Sequence, residues 1–147
     1  MSEKVSFIVL NSAIKSRIVC DLAEKCYLDS RRLVIYTEKS ETCAALDTML
    51  WTWKQQSFIP HKYLESLKEA QAEPVVLTNN IETAANYDTL LLHDPLPIEV
   101  LDKFPKIIDF AEKYDTPALE ASRHRYKIYR DQEYTINTLQ PGEFLST

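Results

Sequence analysis

The chain has 147 residues, 45% of them hydrophobic, with 22 acidic side chains against 17 Lys and Arg and a formal net charge of −5. That length suits one globular domain, and the acidic balance argues against binding polynucleotide through a general positive field. A single glycine, Gly142, excludes the known nucleotide loops, because a Walker A loop needs two glycines and a dinucleotide fingerprint three where backbone must approach phosphate.

Met1-Ser-Glu-Lys leads into only six apolar-rich residues, Val5 to Leu10. They suit a first strand but neither a signal peptide nor a span of ~20 residues, so a cytoplasmic protein is expected. A helix follows to about Asp29, with Asn11 or Ser12 as cap and a buried stripe of Ile14, Ile18, Val19, Leu22, Ala23 and Cys26. Leu-Val-Ile-Tyr within Arg32 to Thr37 reads as a buried strand, and Ser40 can cap a helix to about Trp53. Pro60 leaves the segment around Phe58 extended. Pro74 to Thr78, Thr89 to His93 and Lys106 to Phe110 are short apolar runs with the character of central parallel strands. Pro97 to Phe104 suits a short helix, and Thr116-Pro117 an N-cap and first-turn pair opening a longer one. Tyr134 to Thr138 could add an edge strand. The order predicts an α/β fold with a mainly parallel sheet, one domain over residues 1–138, and residues 139–147 as a loose C-terminal tail.

Cys20, Cys26 and Cys43 are odd in number and form no CxxC pair, so they read as reduced core thiols rather than a disulfide framework or zinc site. No metal or cofactor site is expected. His61, His93 and His124 are scattered, without an HxxxH or Ser-His-Asp signature, and read as surface or structural. Asp109 is the one carboxylate placed at a strand end like a sheet-mouth group. A second perturbed acid joined to it by a pocket would support an enzyme; no catalytic residue is assigned.

Arg123 to Arg130 concentrates four basic residues in eight. At about 100° per residue, Arg123, Lys127 and Arg130 fall within roughly 60° of one another with Tyr126 beside them, leaving Ile128 and Ala121 as an apolar back. Arg125 lies off that face and receives no role. Such a face fits an acidic partner, or is an ordinary solvated surface. In the preceding helix, Cys43, Leu46, Met49, Leu50 and Trp53 share a stripe from which Trp51 stands roughly 140° away. Trp51 is therefore expected off the core side, under a covering loop or as a partner contact.

Two blocks resemble the chi subunit family of bacterial DNA polymerase III holoenzyme, accessory proteins of the clamp-loader complex. The first is Leu46-Asp47 to Leu50-Trp51, continuing to Ser57-Phe58-Ile59-Pro60-His61; the second is Arg125-Tyr126-Lys127 and Tyr129-Arg130, continuing to Asn137-Thr138. Ile107-Ile108-Asp109-Phe110 is also similar to a family strand, whereas residues 62 to 105 resemble it weakly.

The resemblance implies a Rossmann-like three-layer α/β domain that uses no nucleotide, and a noncatalytic adaptor that ties the polymerase to single-stranded DNA-binding protein by holding its acidic C-terminal tail. It would place the tail site at Arg123, Tyr126 and Lys127, with Arg130 adding positive field and Ala111 following the strand. It would also place Trp51 and Phe58 on the surface for the psi subunit or a competing helicase, so that DNA is met only indirectly. Leu119 stands where the family often has another basic residue, and residues 139–147 extend past the family's usual end. The competing reading is a single-stranded nucleic-acid-binding protein using the basic helix 117–130 directly.

Overall fold

Residues 3–52, 58–64, 73–83 and 87–146 are described in the computed structural model of the chain. In chain order they form β1 (Val5–Leu10), α1 (Lys15–Leu28), β2 (Leu33–Tyr36), α2 (Ser40–Thr52), β3 (His61–Tyr63), β4 (Val75–Thr78), β5 (Thr89–Leu92), α3 (Ile98–Leu101), β6 (Lys106–Glu112), α4 (Thr116–Asp131), β7 (Ile136–Leu139) and α5 (Pro141–Leu145), with one 3-10 turn at Ile81–Thr83. The strands make one sheet in the order β3-β4-β2-β5-β6-β1-β7, and every pairing is parallel.

The apolar runs are buried because both faces of the sheet are covered, as parallel sheets require. Ile8, Leu10, Leu33, Ile35, Leu77, Leu91, Ile108 and Phe110 point to one side, where they meet Val19 and Leu22 of α1, Leu46 and Leu50 of α2 and Phe144 of α5. Val5, Phe7, Val34, Val76, Leu90, Leu92 and Ile107 point to the other, against Leu101 of α3 and Tyr129 of α4. The expected three-layer α/β architecture is the one observed.

The departures are local. Neither Asn11 nor Ser12 caps α1; residues 11–13 form the bend leaving β1, and the first turn is not reached until Ile14, which is 44% exposed. The cap of α4 is Asp115, whose carboxylate accepts from the Ala118 N–H at 3.1 Å, so Thr116 and Pro117 occupy the first turn instead. β3 was expected only as extended chain, since three residues are too few to show a period; its ladder with β4 makes it a strand. Trp53 and Ser57 lie outside the described residues.

The C-terminal segment is the main correction. Residues 139–147 are not a loose tail over their described part: β7 runs through Leu139, and Pro141–Leu145 forms α5, where the Glu143 carboxylate accepts from the Gln140 N–H at 2.9 Å. Phe144 is only 5% exposed and joins the α1 side of the core. One aromatic with an apolar socket outweighs a Pro-Gly composition that reads as unstructured.

Scarce glycine leaves a mark. Ser30 and Glu133, each just past a helix C-cap, hold φ of 59° and 61°, a left-handed geometry that commonly falls to glycine.

Candidate functional site

The inward face of α4 is polar. Ser122, Arg125 and Tyr129, spaced one helical turn apart, turn toward β6 and converge around Asp109, which is 2% exposed. Arg125 Nε donates to Asp109 Oδ2 at 2.9 Å and its Nη2 to Oδ1 at 3.2 Å and to the Phe110 carbonyl at 3.1 Å. Tyr129 donates its hydroxyl to Asp109 Oδ2 at 2.5 Å, and Ser122 donates to the Phe110 carbonyl at 3.1 Å. Burial disfavours the Arg125 charge, but the Asp109 carboxylate outweighs it and holds the guanidinium above its ordinary value. Burial first, and the Asp109 charge second, push the Tyr129 phenol far above its usual range, so it stays a donor.

This corrects the expected back of the helix: Ala121 is exposed and Ile128 only half-buried, while Arg125, left without a role, is the anchor. Asp109 is thereby committed to holding α4 on the sheet. The pairing leaves it no free oxygen with which to act as a sheet-mouth acid.

The outward face of α4 carries the expected cations. Arg123, Lys127 and Arg130 are exposed, and Tyr126 is 37% exposed with its ring edge-on to Phe7 at 5.9 Å between centroids. A cavity of about 210 Å³ opens between this face and the sheet, lined by Phe7, Ala111, Leu119, Ser122, Arg123, Tyr126 and Thr138. Three of the five residues singled out for the tail site, Ala111, Arg123 and Tyr126, therefore meet in one pocket, and Lys127 and Arg130 lie outside its wall. Leu119 makes the wall apolar where a cation was the alternative, and Thr138 of β7 and Phe7 of β1 were not foreseen. Their contribution depends on a parallel pairing, Phe7 opposite Thr138, that no local pattern reveals.

Arg123 is held at the rim by Glu120 at 3.2 Å, both side chains about two-thirds exposed. An exposed pair of this kind contributes ~0–1 kcal/mol, so a ligand carboxylate can displace it at little cost. The pocket can take an apolar side chain while the guanidinium grips an adjacent anion.

Trp51 and Phe58 form a separate surface. They are 50% and 65% exposed, as the angular argument for Trp51 required, and their rings pack with centroids 5.5 Å apart. Behind them lies His61, 6% exposed, with its ring 4.3 Å from that of Trp51. Its Nδ1 lies 2.7 Å from the Ile59 carbonyl and its Nε2 3.1 Å from that of Asp47, which fixes the ring as a rigid backing. No covering loop hides the pair among the described residues.

The other candidates are structural. All three cysteines are free and buried, and burial raises the Cys20 thiol to about 12 and those of Cys26 and Cys43 to about 11, leaving them unreactive. Among the described residues no cluster of His, Cys, Asp and Glu could hold a metal ion, and no helix is long and apolar enough to cross a membrane. A second cavity of about 330 Å³, at the start of α1 between Ile14, Arg17, Met49 and Tyr114, contains none of the residues singled out for binding.

Comparison with known proteins places this geometry in context. The family model described as DNA polymerase III chi subunit, HolC, matches residues 1–137. The DNA polymerase III subunit chi of Pseudomonas aeruginosa is 30% identical over 138 residues, covering 90% of this chain and 93% of that protein. That of Escherichia coli K12 is 24% identical, over 83% of this chain and 82% of the other. The Haemophilus influenzae subunit is 25% identical over 85% and 86%.

Proposed function

The chain belongs to the DNA polymerase III chi subunit family, and from that premise we propose that it is a noncatalytic adaptor binding the acidic C-terminal tail of single-stranded DNA-binding protein in the α4 pocket. The observation that carries the reading is the pocket itself. Apolar walls from Phe7, Leu119 and Tyr126 end at a guanidinium, Arg123, on an otherwise acidic protein. A tail of aspartates ending in an apolar residue with a free carboxylate needs those parts: a socket, a bidentate cation and a diffuse positive field. An apolar cavity on the order of 150 Å³ accepts benzene, so this one has room for a single large side chain. Arg123 grips the terminal carboxylate, Tyr126 and Ala111 wall the side chain, and Lys127 and Arg130 attract the aspartates.

The direct test is fluorescence anisotropy with a labelled peptide copying the tail, against the same peptide without its last residue, over a salt series. Binding that requires the last residue is the expected result. No binding to the peptide, with salt-sensitive binding to bare single-stranded DNA, would overturn the reading and make α4 a nucleic-acid site.

Trp51 and Phe58 are the second half of the adaptor, the surface for the psi subunit of the clamp loader or a competing helicase. Paired exposed aromatics on a rigid backing have the character of a hot spot. Trp51→Ala is expected to weaken binding of the purified psi subunit by about 2 kcal/mol or more while leaving tail-peptide affinity unchanged. Loss of both affinities in a folded variant would merge the two sites into one.

A further inference from the structure

The outer edge of β7 adjoins the pocket, and we infer that the acidic tail enters as an eighth strand, pairing parallel to β7 through its backbone, rather than lying loose with only its last residue held. The inference rests on the tail-binding reading above. In a parallel ladder every second residue turns both of its main-chain groups toward the neighbouring strand. The Val5 N–H donates to the Thr135 carbonyl at 3.0 Å, and the register sets Val5 opposite Ile136 and Phe7 opposite Thr138. Thr135, Asn137 and Leu139 therefore direct their main chain at β1. Ile136 and Thr138 direct theirs outward, where no further strand lies among the described residues.

The same parity aims side chains at the proposed ligand. Thr138 is exposed and lines the pocket, and Ile136, two residues back on the same face, packs against the cluster beneath α4. α4 follows β6 through a short turn and returns along it, so it runs opposite to β7. A chain whose terminal residue fills the pocket beside Leu119 and Arg123 would run back toward Ile136 and pass Lys127 and Arg130, one and two turns further along the helix. The outward cations of α4 face the acidic residues of that chain, and the free N–H and C=O of Thr138 and Ile136 face its backbone. An exposed sheet edge is a ready template for an extended peptide, and charge complementarity selects an acidic one.

Thr138→Pro tests this. The ring removes an N–H that no native ladder bond uses, which an edge strand tolerates. Affinity for the labelled tail peptide should fall, with the unfolding midpoint unchanged, at least tenfold below that of Thr138→Ala, which trims the same pocket-lining side chain but keeps the N–H and so isolates the backbone contribution. In the parent protein, peptide addition should slow hydrogen exchange at the Thr138 and Ile136 amides, a readout that does not depend on the proline variant folding. Parental affinity in Thr138→Pro together with unprotected amides would overturn strand addition while leaving tail binding intact. Absence of peptide binding by the parent protein would overturn both. A parental dimer broken by Thr138→Pro and competing with the peptide would assign the edge to a second copy of this chain and overturn the inference as well.

Discussion

Asp109→Ala is expected to lower the folding free energy by ~3–5 kcal/mol, measured by urea denaturation, because removing one partner of a buried ion pair strands the other. Asp109 is the common acceptor for Arg125 and for the Tyr129 hydroxyl, and it is 2% exposed. Without it, Arg125 keeps the Phe110 carbonyl at 3.1 Å but loses both carboxylate bonds, and Tyr129 is left buried with an unpaired O–H. Asp109→Asn, which retains one acceptor oxygen but no charge, should fall between the parent and the alanine variant. A loss below about 1 kcal/mol would mean that water reaches the pair and that the surface-pair range applies. The alanine variant should also bind the tail peptide less well, since Asp109 is what fixes the rotation of α4 and with it the direction in which Arg123 points.

Arg123→Ala is expected to weaken tail-peptide binding by ~1.5–3 kcal/mol, the range for a charge-assisted hydrogen bond, or about 10- to 150-fold in Kd. Folding stability should stay within ~0.5 kcal/mol, as for other exposed positions. Arg123→Lys should recover only part of the affinity, because an ammonium keeps the charge but lacks the planar fork that grips a carboxylate at two points. An anisotropy titration of the three proteins side by side decides it; equal affinities would remove Arg123 from the site.

The outward face of α4 was legible because Arg123, Lys127 and Arg130 share one narrow helical stripe and their charges have to reach water. The inward face was not. Ala121 and Ile128 drew the apolar back toward the wrong side, because the residue that makes an arginine welcome inside, Asp109, comes from a strand and meets the helix only in the folded molecule. The same division runs through the site: Arg123 and Tyr126 are local to the helix, whereas Phe7 and Thr138 arrive through strand pairing. Trp51 could be placed because the stripe of Cys43, Leu46 and Leu50 is regular and buried. α5 could not, since its evidence is a single buried side chain, Phe144, rather than a period. Most of the sheet was readable strand by strand, but its order was not, because each helical crossover hides which neighbour a strand will choose.

That order bears on how the molecule is made. Of the described strands β1 is synthesised first, yet its two neighbours are β6 and β7, so Val5 waits for Ile107 on one side and Ile136 on the other. With every pairing among the described strands parallel, none of them can form a hairpin early and hold the chain, and loop-closure entropy must be overcome before any long-range pairing stabilises it. β6 must be synthesised before β1 has its first neighbour and β7 before it has its second, and until then a strand buried along its whole length depends on speed or on chaperones to escape aggregation.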